Sequence, residues 1–389
     1  MTAFLWRLLG RLPVGWLQLT HNKGRLAAAL AGVAFANILV LVQLGIMGSM
    51  NTTTRDSYAM FDADILISAA DANTLSEGAN VPRQWLFQAL ADPGVIAGAA
   101  LFVGDAVWEH ANGSARLRVL AIDPDQADFF VSDIASRGEL LRLPDTGLID
   151  RATRGMNEQE LSQIRPQAPL SVELAGQRLV FAATFAVGGS FGADGYMVTS
   201  DQNFLRLMPS RSAGAPDHIL LQTASSHRPR VVAERLAVSL PSDVRVRTLD
   251  DAADTDVTYQ NTERPTGLIF GFGVLMGIIV GIVIVYQVLA SDVADHLGEY
   301  ATFKAMGYGP KFFFGVIVEE ALVLGLLGFV PGILVASLVF QFLGEATGLP
   351  MALEPGTVAL VFVGTLVAAT VSGALAARRL NSVDPAELF

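Results

Sequence analysis

The sequence predicts a membrane protein of four transmembrane helices per chain, with a large mixed α+β extracytoplasmic domain inserted between spans one and two. Three observations point there. Hydrophobic residues make up 52% of the 389 residues and charged residues only 16%, against about 25% charge in a typical soluble chain. Four stretches reach the roughly 20 apolar residues needed to cross a hydrocarbon core. A polar segment of different composition, residues 52–264, separates the first stretch from the second. The net charge of −11 is concentrated in that segment, which holds 28 acids against 18 bases, every base an arginine. An acidic chain lacks the basic face that phosphate backbones require, so no nucleic-acid partner is expected. With no cysteine, disulfides and cysteine-ligated metals are excluded.

Taken in order, residues 1–25 mix leucines, aromatics and arginines and predict a cytoplasmic interfacial helix, bent at Pro13. Residues 26–50 form transmembrane helix 1. That run and its charged flank are too long for a signal-peptide core, so an uncleaved anchor is expected. Residues 51–266 form the periplasmic domain. Transmembrane helices 2, 3 and 4 follow at 267–290, 312–343 and 356–377. A cytoplasmic segment, 291–311, joins the second to the third, a short periplasmic loop, 344–355, joins the third to the fourth, and 378–389 is a cytoplasmic tail. Orientation follows from the basic residues of the short segments: Arg7, Arg11, Lys23 and Arg25 before span one, Lys304 and Lys311 between spans two and three, Arg378 and Arg379 after span four. The 344–355 loop has Glu345 and Glu354 and no lysine or arginine. Both termini are therefore expected in the cytoplasm of a bacterial inner membrane, with the large domain in the periplasm.

Within the large domain, β-type runs recur at Asp64–Ser68, Leu101–Val103, Arg116–Ile122, Arg178–Thr184, His218–Gln222 and Val244–Thr248. Turn signals such as Asp92-Pro93-Gly94, Asn112-Gly113 and Asp145-Thr146-Gly147 separate them. Helices are expected near 82–91 and 229–239. The five histidines fall in no zinc pattern, so no metal site is expected. The run Gly188-Gly189-Ser190-Phe191-Gly192 has neither the spacing of a nucleophile elbow nor the Lys-Ser/Thr of a phosphate loop, and reads as a flexible loop. No catalytic residue and no ATP-binding motif emerges, so any energy source lies on another chain.

Asp292 can start a helix and Gly307 can end it, with Gly309-Pro310 turning into span three. Residues 292–306 would then form a helix about 22 Å long at 1.5 Å per residue, too polar to span. Val293, Leu297, Tyr300, Ala301 and Lys304 share one face. That face suits docking to a soluble partner, or equally an amphipathic linker resting on headgroups. Glu319 and Glu320 sit near the start of span three, where acids usually face a partner or a cavity. They either pair with Lys311 or an interfacial arginine, or relay motion between subunits. Small residues four apart, Gly273, Gly277 and Gly281 in span two and Ala369, Gly373 and Ala377 in span four, allow close helix contact, within one subunit or at a dimer seam.

The stretch Glu299-Tyr300-Ala301-Thr302-Phe303-Lys304-Ala305-Met306-Gly307-Tyr308 resembles the matching segment of FtsX/MacB-type ABC permeases. Asp292 to Leu297, Glu320-Ala321-Leu322 and the tail from Arg378 through Asp384-Pro385-Ala386-Glu387-Leu388-Phe389 resemble the DevC-like branch, permeases of the heterocyst glycolipid exporter type. The resemblance implies that 291–311 holds a coupling helix seated on a separate ABC ATPase, with Leu297, Glu299, Tyr300, Lys304, Met306 and Gly307 in coupling roles. It also implies a second copy of the chain, a periplasmic membrane-fusion adaptor and a TolC-like outer-membrane channel. No cofactor would be bound by this chain; ATP and Mg would sit on the partner ATPase. The function implied is that of a transport subunit, not an enzyme, which expels a lipid-like or amphipathic substrate. The alternative is an FtsX-like mechanotransmitter that regulates periplasmic partners such as cell-wall hydrolases.

Overall fold

The computed structural model describes residues 14–110, 113–156 and 158–381. The first half of the expected interfacial helix, the Asn112 turn position and the tail motif from Ser382 onward lie outside the described residues. In chain order the described elements begin with α1 (Val14–His21), α2 (Lys23–Tyr58), β1 (Ile65–Ala69), α3 (Gln84–Leu90), β2 (Val95–His110) and β3 (Gly113–Ile122). A 3-10 turn at Pro124–Phe129 leads to α4 (Ser132–Ala135), α5 (Gly138–Leu141), β4 (Thr146–Asp150), α6 (Glu158–Ser162), β5 (Leu170–Leu174) and β6 (Gln177–Phe185). Then come β7 (Gly195–Ser200), α7 (Asp201–Leu207), β8 (His218–Thr223), α8 (Pro229–Ser239), β9 (Val244–Thr248) and α9 (Leu249–Thr262). The chain closes with α10 (Pro265–Asp295), α11 (Leu297–Ala305), α12 (Pro310–Thr347) and α13 (Pro355–Asn381).

These elements form two compact units. One comprises the chain up to Gly48, Pro265–Leu343 and the chain from Met351; the other comprises Ser49–Arg264 with Gly344–Pro350. In the helical unit, α2, α10, α12 and the Pro355–Ala377 part of α13 are long and apolar enough to cross a membrane. Their packing depends on missing side chains. A Cβ at Gly277 would stand 2.7 Å from Val40 Cγ2, and one at Gly273 would stand 2.6 Å from Gln43, so α10 lies directly against α2. Gly281 faces Ala36 in the same seam, and Gly373 of α13 faces Ala321 of α12. All four glycines expected to mediate packing thus sit at helix contacts within the chain.

The second unit is a nine-stranded mixed sheet in the order β3-β7-β4-β6-β5-β2-β8-β1-β9, with β2 also paired to β3. Period-two alternation sends neighbouring residues to opposite faces. Ile65 and Ile67 join one core with Phe102, Phe181, Ile219 and the helix residues Leu86 and Leu236, while Leu66 joins another with Leu101, Leu120, Phe130 and Ala252. Both faces are covered, which is why β1, β4 and β7 are buried at every position.

The structure revises several expectations. The Leu101–Val103 run is the middle of a sixteen-residue strand. The Asp145-Thr146-Gly147 turn is in part a strand: Asp145 alone takes a left-handed φ of 54°, and Thr146 already pairs with Val180. The glycine-rich loop after β6 is pinned rather than flexible. The fully buried Asp150 carboxylate accepts from the backbone N–H groups of Val187 (3.3 Å) and Gly188 (2.7 Å), and Arg154 Nη2 donates to the carbonyls of Ser190 (2.7 Å) and Ala193 (3.1 Å). Arg154 also forms a 3.0 Å ion pair with Asp194. Arg154→Ala is expected to release this loop and cost about 2 kcal/mol, because it leaves two loop carbonyls without their charged donor. Faster backbone hydrogen exchange over 187–194, with unchanged exchange in β1 and β8, is the check.

Candidate coupling site

The segment joining α10 to α12 departs from a single fifteen-residue helix. α10 runs unbroken to Asp295, so Asp292 lies inside it instead of capping a new start. His296, at φ −101° and ψ 14°, interrupts the helical path, and α11 then spans nine residues. Its end is a Schellman motif: the Gly307 N–H bonds Lys304 O (3.0 Å) and the Tyr308 N–H bonds Phe303 O (3.1 Å). Gly307 takes the left-handed φ of 94° that this geometry needs. The accompanying apolar contact is the edge-on Phe303–Tyr308 ring pair, 5.7 Å between centroids.

α11 has an inward and an outward side. Tyr300 is 3% exposed and stands edge-on to Phe313 of α12 at 5.7 Å. Its hydroxyl donates to Gln18 Oε1 of α1 at 3.2 Å, and Gln18 Nε2 donates to Glu299 Oε2 at 3.2 Å. Burial, reinforced by the carboxylates of Glu320, Asp292 and Glu299, raises the Tyr300 hydroxyl far above the usual tyrosine range. Val293, Leu297 and Phe303 join the same apolar cluster. Val293, Leu297 and Tyr300 of the face expected to meet a soluble partner are therefore turned against the chain's own helices, and Lys304 of that face is exposed. Apolar residues beside a bundle bury against the nearest apolar surface, and Leu19, Phe313 and Val316 supply it. Exposed instead are Glu299, Thr302, Lys304, Met306, Gly307 and Tyr308; Met306, at 61%, is more open than Tyr308, at 45%.

α1 straps this segment to α12. A Cβ at Gly15 would lie 2.8 Å from Glu320 Cγ and 2.9 Å from the Val316 carbonyl, so α1 approaches this closely only because residue 15 is glycine. The Trp16 N–H donates to Glu319 Oε1 at 3.3 Å, and Arg25 of α2 pairs with Asp295. Glu319 and Glu320 are both buried. Gly15 and Gln18 escaped sequence reasoning. A lone glutamine in an aromatic, leucine-rich run was the available signal, since a buried polar side chain needs partners. Among the described residues, no group of three or more His, Cys, Asp or Glu is arranged to hold a metal ion.

Residues 271–385 match a family model described as FtsX-like permease C-terminal. The matched stretch runs from the first third of α10 through α11, α12 and α13, and so includes the whole coupling segment. No curated protein matches the chain. Among solved structures, the periplasmic region of MacB from Actinobacillus actinomycetemcomitans aligns at 9% identity over 52% of this chain and 95% of its own, with a TM-score of 0.36. The extracellular domain of the noncanonic ABC-type transporter YknZ from Gram-positive bacteria aligns at 13% identity over 48% of this chain and 98% of its own, with a TM-score of 0.33. Similarity at that level carries no functional weight.

Proposed function

We propose that the chain is the permease subunit of an ABC-type export system of the FtsX/MacB kind, in the DevC-like branch. The observation that carries the permease part of this reading is the match of residues 271–385 to the FtsX-like permease C-terminal model; the DevC-like branch rests on the resemblance of residues 292–297, residues 320–322 and the tail from Arg378. In this reading a separate ATPase binds ATP and Mg and docks on the exposed side of α11, and no nucleotide binds here. Two copies of the chain work together. Movement of the helices passes to the periplasmic unit, which expels a lipid-like or amphipathic substrate through an adaptor and a TolC-like channel. Both termini lie in the cytoplasm of a bacterial inner membrane.

The outward side of α11 and its Schellman turn supports this assignment of the docking surface. It offers one apolar side chain, Met306, an aromatic, Tyr308, and a cation, Lys304, around a rigid turn; a soluble groove needs such anchors ringed by polar groups. The test is co-purification of the ATPase with the wild-type chain and with Lys304→Glu plus Met306→Asp. Both side chains are exposed, so the double variant is expected to fold and to lose at least tenfold in ATPase association. Undiminished association would move the docking surface elsewhere. If the ATPase binds and turns over while no amphipathic substrate is exported, the mechanotransmitter reading replaces transport.

A further inference from the structure

At the base of the helical unit, Glu320 is fully buried, and among the described residues neither of its carboxyl oxygens meets a hydrogen-bond donor. Asp292, 4% exposed, likewise has its Oδ2 without a donor. The two carboxyls are nevertheless within hydrogen-bonding reach of one another. Ionised carboxylates only accept hydrogen bonds, so two facing each other satisfy nothing. One added proton converts the pair into a donor and an acceptor. Like charges at such short range also disfavour double ionisation.

The surroundings complete the pocket. α1 closes it where Gly15 lies on Glu320 Cγ, and His21 at the end of α1 borders the neighbouring cavity. From α2 comes Arg25, whose Nη2 is buried without an acceptor while its Nη1 pairs with Asp295. α10 and its end supply Asp295 and His296, whose Nδ1 is 3.6 Å from Asp292 Oδ2. Tyr300 and Glu299 of α11 and Glu319 of α12 are further titratable neighbours among the described residues. A separate cavity of about 30 Å³ is bounded by Asn22, Arg25, Asp292 and His296. Leu19, Leu26, Ala29 and Val288 line it alongside those polar groups, and it is large enough for a water molecule, which needs roughly 10–15 Å³. Asp292 thus faces Glu320 in the closed pocket and also borders the cavity.

We propose that Asp292 and Glu320 form one proton-binding site, in which a single proton bridges the two carboxyls and exchanges with solvent through the cavity beside Arg25. The proton comes from hydronium, whose O–H bond breaks as an O–H forms on one carboxyl, leaving water; on release it returns to water as hydronium, and no other bond changes. The site stands on this chain's own geometry and is independent of the ABC reading.

Infrared difference spectroscopy of the full chain in lipid nanodiscs tests it without any partner. The wild-type-minus-Glu320→Gln spectrum at neutral pH is expected to show the carbonyl stretch of one protonated carboxyl, shifted on transfer to D2O. Subtracting the variant removes the buried acids of the other unit from the comparison. Glu320→Gln is expected to fold, since the amide keeps the volume and donates to Asp292. Asp292→Asn provides a second reading: it should leave the band but move its frequency, because the acceptor has changed. Absence of a protonated-carboxyl band from the wild-type difference spectrum, or a band unmoved by Asp292→Asn, overturns the proposal.

Discussion

Asp256→Ala is expected to destabilise the sheet-containing unit by about 3 kcal/mol, since each buried donor left without an acceptor costs about 1–3 kcal/mol. The Asp256 side chain is 4% exposed and accepts from the Tyr58 hydroxyl at 3.0 Å, from the Leu75 N–H at 3.1 Å and from Gln260 at 3.3 Å. It therefore holds three segments together: the end of α2, the loop after β1, and α9. Leu75 is gripped from its other side too, where its carbonyl meets His218 Nε2 at 2.8 Å. Truncation strands two donors at once. Asp256→Asn keeps an acceptor and should cost only about 1 kcal/mol. The pH dependence has a definite sign. Burial raises the Asp256 carboxyl above its ordinary value of 3.8, against the pull of its hydrogen bonds from Leu75, Tyr58 and Gln260. The folded state therefore holds this proton more tightly than the unfolded state. Its contribution is complete below 3.8 and is lost as pH rises through the elevated folded value. Asp256→Asn should remove that component. Hydrogen exchange of β1 and α9 across pH 4–7 provides the measurement, and an unaltered pH profile in the asparagine variant would contradict it.

Tyr300→Ala should have an effect of similar size in the helical unit, about 3–5 kcal/mol, the range for removing a large aromatic from a packed core. Its ring fills the angle between α11 and α12 against Phe313, and its hydroxyl is the hinge pin of the Gln18–Glu299 bridge. Tyr300→Phe keeps the ring and should cost about 1 kcal/mol, the net value of one hydrogen bond. The contrast distinguishes support from docking. A residue that only touched a partner would leave the isolated chain's melting temperature unchanged in both variants. Here the alanine variant alone should melt markedly earlier in nanodiscs, with faster exchange over 297–306.

The four long apolar helices were legible in the sequence because span length and charge exclusion are local properties; all four apolar runs lie inside helices long enough to cross a bilayer. Strands with β-branched or alternating residues were legible too, as at Val244–Thr248. β4 and β7 were not. Thr146-Gly147 carries a turn signature, and Gly195-Tyr196-Met197 lacks a β-branched run, yet both strands lie inside the sheet, where pairing and burial override weak propensity. The true extent of β2 was hidden by Gly98 and Gly104, which usually weaken a strand; here a Cβ at Gly98 would collide with Leu86 and Leu221, and one at Gly104 with Met208. In the segment between α10 and α12 a helix, its glycine stop and its amphipathic face were readable, but not its start, which falls after His296 and not at Asp292. The direction of that face was not, because periodicity identifies an apolar side without saying what covers it. Gln18 and Gly15 act across some 280 to 305 residues of sequence, on Glu299, Tyr300 and Glu320, a separation that no local pattern encodes.

The most direct test of the permease assignment is ATP turnover by the partner ATPase in nanodiscs, alone, with the wild-type chain, and with the Lys304→Glu plus Met306→Asp variant. The account predicts turnover that rises several-fold with the wild-type chain and returns to the level of the free ATPase with the variant. Turnover indifferent to the wild-type chain would contradict it.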